Sequence, residues 1–306
     1  LLVLFNEISV HDRRVRLREA LGQDRLLRFP GAYSPLVAML IQELGFDGVY
    51  VSGAVIANDL GLPDIGLTTL SEVSRRARAI SRVTALPAIV DVDTGFGEPM
   101  NVARTVQELD ELGLAGCHLE DQINPKRCGH LEGKQVVDTA EMIKKIRAAI
   151  AARHDPDFVV MARTDARGVE GLAAAIERAR AYVDAGAEVI FPEGLVDAGE
   201  FEAFRGAIDV PLLANMTEFG KSELLSVQTL EDLGIDLVIY PVTAQRLAMG
   251  AVEAGLRRLR DEGTQEGLLD RMQDRKRLYE LVRYADYETF DQNVYDFGGT
   301  AAHGRQ

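Results

Sequence analysis

From about residue 26 to about residue 260, short apolar runs alternate with amphipathic stretches. The apolar runs fall at residues 26–30, 48–53, 87–93, 116–121, 158–165, 188–193, 211–216 and 237–242, and their β-branched character predicts eight strands. Between them, apolar positions recur at helical spacing, as over 37–44, 103–112, 140–151, 172–185 and 229–233. Several of these helical stretches stop at a glycine: Leu44-Gly45, Leu112-Gly113, Ala185-Gly186 and Leu233-Gly234. Glycine enters the left-handed conformation of a helix C-cap without a Cβ penalty, so these are good boundaries. Residues 87–92 and 158–161 are apolar almost without interruption, as expected of parallel strands covered on both faces.

Eight strand–helix units predict an α/β chain of the (β/α)8 TIM-barrel type, with a doubly wound open sheet as the alternative. No Gly-x-Gly-x-x-Gly follows the first run, which disfavours a dinucleotide fold. We expect one domain: a helical N-terminal segment at 1–25, the barrel at 26–262, and a C-terminal helical extension and tail at 263–306. Within the extension, Leu268, Leu269, Met272, Leu278 and Val282 mark a further helix over 264–284. A barrel does not need this helix, so it is expected to pack on the barrel or on another subunit. The tail from Asp296 is expected to be mobile.

The net charge of −14 argues against nucleic acid and anionic membranes as partners, and it requires locally placed arginines for any anionic substrate. Two cysteines, Cys117 and Cys128, give no disulfide framework and suit a reducing cytoplasm. No apolar run approaches the roughly 18 residues of a membrane span. The opening Leu1-Leu2-Val3-Leu4-Phe5 is too short to read as a signal peptide.

Barrel chemistry lies at the C-terminal ends of the strands. Those ends carry Tyr50, Ser52 and Gly53; Asp91 and Asp93; His118, Glu120 and Asp121; Arg163, Thr164 and Asp165; Glu193; Asn215 and Thr217; and Tyr240, with Arg246 just beyond. Single strand-end acids are usually caps, but a set over seven units points to a site. Asp91 and Asp93 lie two apart, on one face of a regular strand, where like charges repel unless a cation or a proton sits between them. Oxygen ligands suit Mg²⁺, with Mn²⁺ as a substitute; Glu120 and Asp64 could hold its waters. No lysine ends a strand, against Schiff-base chemistry, and no Gly-rich phosphate cradle follows the last two strands. A carboxylate substrate follows, with Arg163, Arg246 and Arg275 as candidate forks, although Asp274-Arg275-Lys276-Arg277 also reads as a solvated helix face. Lys126-Arg127-Cys128-Gly129-His130 places a thiol among cations, an arrangement for proton transfer.

Over residues 29–290 the chain resembles the isocitrate lyase and phosphoenolpyruvate mutase superfamily. The resemblance is carried by Tyr-Val-Ser-Gly at 50–53, Gly-Leu-Pro-Asp at 61–64, Val-Asp-Val-Asp-Thr-Gly-Phe-Gly at 90–97 and His-Leu-Glu-Asp-Gln at 118–122. It continues in Lys-Arg-Cys-Gly-His at 126–130, Met-Ala-Arg-Thr-Asp at 161–165, Phe-Pro-Glu at 191–193 and Ala-Asn-Met-Thr-Glu-Phe-Gly at 214–220. The resemblance implies a Mg²⁺-dependent carbon–carbon lyase acting on a hydroxylated tricarboxylate by a retro-Claisen route. It implies Asp91 and Asp93 at the ion, supported by Asp64 and Glu120, with Ser52, Gly53 and Ala54 at the keto-acid. Ala54 departs from the glycine that relatives often carry there. Arg163 would bind the keto-acid carboxylate, and Gly129, Glu193, Asn215, Met216, Thr217, Arg246 and Arg275 the rest of the substrate. Cys128 would be the acid, Tyr50 the base, and His130 a further catalytic residue. Arg127 in place of a second lysine, and an apolar recess at Phe191 and Ile239, favour 2-methylisocitrate, cleaved to pyruvate and succinate in propionate catabolism by the methylcitrate cycle. Isocitrate, 2,3-dimethylmalate and oxaloacetate are the alternative substrates. The resemblance also implies a homotetramer that exchanges C-terminal helices.

Overall fold

The computed structural model describes residues 8–127, 129 and 133–296, so the expectations placed on Cys128 and His130 lie outside the described residues. Eight parallel strands follow the expected order: β1 Leu27–Pro30, β2 Val49–Val51, β3 Ala88–Asp91, β4 Gly116–Glu120, β5 Val159–Thr164, β6 Val189–Pro192, β7 Leu213–Asn215 and β8 Leu237–Tyr240. They form two continuous ladders, β2-β3-β4-β5-β6 and β1-β8-β7. Single parallel bridges, Gly31 to Tyr50 and Ile190 to Leu212, join the ladders at both seams and close the ring.

Side-chain alternation divides the core into two layers. Phe29, Tyr50, Ile89, Met161, Leu213 and Ile239 point inward and fill the barrel. Val90, Leu119, Val160, Ile190 and Val238 point outward and are covered by helices. The N-terminal mouth is plugged by helix Val10–Leu21, whose Leu17 and Leu21 join the inner layer. Burying each leucine stabilises the plug by about 1.5–3 kcal/mol. Ser9 starts the helix by accepting the N–H of Asp12 at 3.1 Å. Its buried Arg14 pairs with Asp110 at 2.7 Å and with Asp155 at 2.9 Å.

The chain forms two compact units, Ile8–Arg246 and a second unit that takes the chain from Leu247 onward. The division falls inside helix Thr243–Glu262, which has no buried residue along its length. The single helix expected over 264–284 is also broken, into the 3-10 turn Glu266–Arg271 and helix Arg275–Leu281. Asp274 makes the break, because its carboxylate accepts the N–H of Arg277 at 2.7 Å and starts a new helix. Helix Tyr284–Asp296 follows. Among the described residues, no helix is long and apolar enough to cross a membrane.

Candidate active site

The strand ends bring acids and bases together in a fixed order. Asp91 closes β3 facing inward, and its two oxygens accept the N–H of Gly53 at 3.2 Å and of Asp93 at 2.9 Å. Gly53 opens helix Gly53–Asp59, which Ser52 caps by accepting the N–H of Val55 at 3.4 Å. Asp93 lies beyond the strand, and strand alternation does not place it. It turns through a left-handed backbone (φ 48°), and its carboxylate swings back beside Asp91. A Cβ on Gly53 would stand 2.9 Å from Asp91 Oδ2 and 3.2 Å from Asp93 Oδ1, so both carboxylates converge on the space above that glycine. Lys126, almost fully buried, pairs with Asp93 Oδ1 at 2.8 Å and also with Asp64.

These charges act strongly because water is excluded. Burial and the neighbouring Asp91 push Asp93 up to about 6. Burial opposes ionisation of Asp91 as well, but His118, Lys126 and Arg163 outweigh it and its pKa is lowered. His118 is itself kept neutral, since burial takes it down to about 4; Lys126 and Arg163 are therefore the cations. Burial raises Glu120 well above its ordinary value, and its buried Oε1 has no hydrogen-bond partner among the described residues.

Arg163, ending β5, is the hub of the opposite wall. Its Nε donates to Asp165 at 2.9 Å and lies 3.2 Å from Glu120, and its Nη1 stands 3.6 Å from Glu193. Its guanidinium lies over the Phe191 ring at 5.1 Å. Asn215 donates to Glu193 at 3.2 Å, which ties β7 to β6. A Cβ on Gly129 would stand 2.5 Å from Glu193 Cγ and 2.6 Å from Arg163 Nη2, so the chain at Gly129 passes directly over this pair. Lys134 holds it there, donating to Gly129 O at 2.5 Å and to Asp165 at 2.7 Å. Within the barrel, Tyr50 OH and His118 Nε2 are 2.8 Å apart. Burial holds the Tyr50 phenol well above its ordinary value, so Tyr50 is no resident phenolate base.

A cavity of about 210 Å³ opens on these groups, and Tyr50, Ser52, Ala54, Asp64, Asp91, Gly129, Arg163, Glu193, Asn215, Thr217, Ile239 and Arg246 line it. Asn58 and Gln245, which sequence reasoning gave no role, also line it, as does Lys126, expected only as a cation beside the Cys128 thiol. Two expected residues lie away from the cavity. Met216 points away from Asn215 and Thr217 into the outer core, where its sulfur accepts the N–H of Leu225 at 3.2 Å. Phe191 is fully buried beneath the cavity, edge-on to His118, and Pro241 and Val242 join Ile239 at the apolar wall instead. Arg275 opens helix Arg275–Leu281 in the second unit.

A larger cavity of about 410 Å³ is lined by Asp93 together with groups such as Thr68, Thr94, Asn101 and Arg104. Its polar side chains are largely paired locally, as Asn124 with Thr94 at 2.8 Å, and no second strand-end acid reaches it. His11, Asp155 and Asp157 form another acidic group with metal-like spacing. There, however, Arg14 and Arg18 already neutralise the carboxylates, at 2.9 Å and 3.1 Å. At the strand ends, Asp91 and Asp93 converge above Gly53, close to Glu120, whose Oε1 has no hydrogen-bond partner among the described residues.

The family model described as phosphoenolpyruvate phosphomutase matches residues 17–260. The chain belongs to the PEP mutase/isocitrate lyase superfamily. Within this superfamily, a solved 2,3-dimethylmalate lyase superposes with a TM-score of 0.87 at 33% identity, covering 98% of this chain and 99% of its own. A phosphonopyruvate hydrolase solved with oxalate and Mg²⁺ gives a TM-score of 0.82 at 30% identity, covering 96% of this chain and 99% of its own. In sequence, a probable 2-methylisocitrate lyase of Corynebacterium glutamicum is 61% identical over 293 residues, 95% of this chain and 96% of the relative.

Proposed function

We propose that this superfamily member is a carbon–carbon lyase that cleaves 2-methylisocitrate to pyruvate and succinate. The observation that carries the reading is the 61% identity with the Corynebacterium protein over 95% of the chain. The cavity agrees with it, joining paired acids, two arginines and an apolar wall.

Asp91 and Asp93 would hold Mg²⁺, with Asp64 and Glu120 supporting it, and the ion would supply positive charge against the oxygen that becomes the pyruvate carbonyl. Ser52 and Gly53, at a helix start, face the keto-acid, and Arg163 pairs with its carboxylate. Glu193, Asn215, Thr217 and Arg246 receive the succinate half. The substrate hydroxyl gives its proton at Tyr50 Oη. Tyr50 takes it in its phenolate form, which the charge of a bound cation would favour over the phenol, while His118 Nε2, 2.8 Å away, orients Oη. Cys128, next to Gly129 in the sequence, protonates the carbanion-like succinate carbon. Ile239, Pro241 and Val242 accommodate the extra methyl, a contact worth about 1–3 kcal/mol of discrimination.

Turnover of 2-methylisocitrate, isocitrate and 2,3-dimethylmalate, measured side by side, tests the substrate; dominant dimethylmalate cleavage would sink the reading. Cys128→Ser is expected to retain Mg²⁺ and succinate binding while losing most turnover, and near wild-type kcat would remove Cys128 as the acid. The proposal extends to a homotetramer. Met249, Val252, Leu256 and Leu259 lie along one face of helix Thr243–Glu262, and all are exposed. Light scattering that gives a monomer mass would exclude it.

A further inference from the structure

We propose that Glu218 and Phe219 are positioning residues that hold Arg246 as a preformed, side-on fork for a substrate carboxylate. Neither residue has been given a role above, and the inference rests on the lyase reading only for which carboxylate the fork serves. Arg246 lines the cavity beside Asn215 and Thr217. Its Nη1 donates to the backbone carbonyl of Glu218 and pairs with Glu218 Oε2 at 3.0 Å. Nη1 carries two hydrogens, and these contacts occupy both. Among the described residues, no partner reaches Nε or Nη2. Those two atoms form one of the guanidinium's parallel donor edges, which matches a carboxylate in bidentate fashion.

Glu218 is not a rival for that edge. Its other oxygen accepts the hydroxyl of Thr243, so both carboxylate oxygens are engaged and the side chain is fixed. Phe219 completes the clamp, with the Arg246 guanidinium 5.3 Å from its ring centroid. Two features of Phe219 have no packing explanation. Its backbone is left-handed at φ 60°, a conformation a bulky side chain rarely adopts, and it is 95% exposed. An exposed aromatic held in a strained backbone on a cavity-lining arginine fits a platform that fixes the plane of the guanidinium. A flexible arginine must otherwise be ordered when it binds, and preorganisation removes that cost.

The test uses the full chain with Mg²⁺ present, as wild type, Glu218→Ala, Phe219→Ala, Arg246→Met and the Glu218→Ala/Arg246→Met double variant. Succinate affinity is read by calorimetry, KM and kcat with 2-methylisocitrate, and folding by the melting temperature. Glu218→Ala and Phe219→Ala are each expected to weaken succinate and raise KM by about tenfold, with kcat within about threefold. Adding Glu218→Ala to Arg246→Met is expected to cost nothing more, because the fork it positions is gone. Phe219→Tyr restores affinity and Phe219→Leu does not. Wild-type succinate affinity in Glu218→Ala, or losses that multiply in the double variant, would overturn the inference, as would a wild type that binds no succinate. If succinate follows the expected pattern but wild type does not cleave 2-methylisocitrate, the lyase reading fails and the fork stands.

Discussion

Asp121 offers a sharp test of how the strand ends hold the site. It adjoins Glu120 in sequence yet faces the opposite way, fully buried on the outer side of the barrel. One oxygen accepts the Thr164 hydroxyl and the Tyr182 phenol, each at 2.8 Å, and the other accepts the N–H of Asp165 at 2.8 Å. Replacing Asp121 with alanine strands three buried donors. Each buried polar group left without its partner costs about 1–3 kcal/mol. Arg178 adds little to the loss, since it is 3.6 Å from Asp121 and keeps Glu170 at 2.7 Å. The expected destabilisation is about 4 kcal/mol, allowing for one hydroxyl rotating to a new acceptor. At about 2–4 °C per kcal/mol for a domain of this size, the melting temperature should fall by about 10 °C. Asp121→Asn keeps one oxygen for Asp165 N and should lose about half as much. Because Asp165 carries both Arg163 and Lys134, KM should rise in both variants. Scanning calorimetry with and without Mg²⁺ measures the first effect and steady-state kinetics the second. A melting temperature for Asp121→Ala within about 2 °C of wild type would refute the accounting, since no buried network of this kind is lost so cheaply.

Gly53→Ala places a methyl 2.9 Å from Asp91 Oδ2, so calorimetry should show Mg²⁺ affinity falling by about tenfold or more, with folding retained; unchanged affinity would show that the carboxylates do not converge on the ion. In the metal-free protein, Asp93 takes a proton below about 6, and that proton competes with the ion. Mg²⁺ affinity should therefore be level above neutrality and fall by about tenfold per pH unit below the Asp93 pKa. The sign for stability is the opposite: a carboxyl raised by folding makes the metal-free protein less stable as pH rises from 3.8 through about 6. Mg²⁺ should accordingly raise the melting temperature more at pH 7.5 than at pH 5, and an equal rise at both would count against Asp93 as a ligand.

The barrel was legible because parallel strands covered on both faces are buried along their length and mostly apolar, as β3 and β5 are up to their polar C-terminal ends. The positions that went astray involve information of another kind. Met216 could have been excluded, since it alternates with Asn215 and Thr217 and so belongs to the other face. Phe191 does face inward, but depth inside a barrel has no periodic signal, and it lies one layer beneath the cavity. The convergence of Asp91 and Asp93 was expected from strand alternation, whereas a left-handed turn at Asp93 produces it. Asp274 carried a legible cap signal, an acid three residues before the first donor it satisfies, and this breaks the helix expected over 264–284. Lys126 and Lys134 were the least legible, because a loop's path decides which distant carboxylates a long side chain meets.

The charge inventory of the cavity explains why an acidic protein can take an acidic substrate. Asp64, Asp91, Asp93, Glu120, Asp165 and Glu193 bring six carboxylates to the strand ends, against the three buried or nearly buried cations Lys126, Arg163 and Lys134. Left alone, that imbalance keeps part of the set protonated, which is why burial and like charge raise Asp93 and Glu120. A divalent cation held by Asp91 and Asp93, as proposed, would relieve the repulsion and turn an anion-repelling floor into one that attracts a carboxylate. Arg163 cannot do this alone, since Asp165, Glu120 and Glu193 surround it and take up its charge. Arg246 is different, because Glu218 neutralises it from one side only and leaves a donor edge toward the cavity. In the proposed reading the metal and Arg246 would serve different carboxylates of the substrate, and removing either should cost binding that the other cannot restore. Mg²⁺ depletion and Arg246→Met should therefore lower affinity for 2-methylisocitrate by independent factors. A combined loss no greater than the larger single one would show that both act on the same carboxylate.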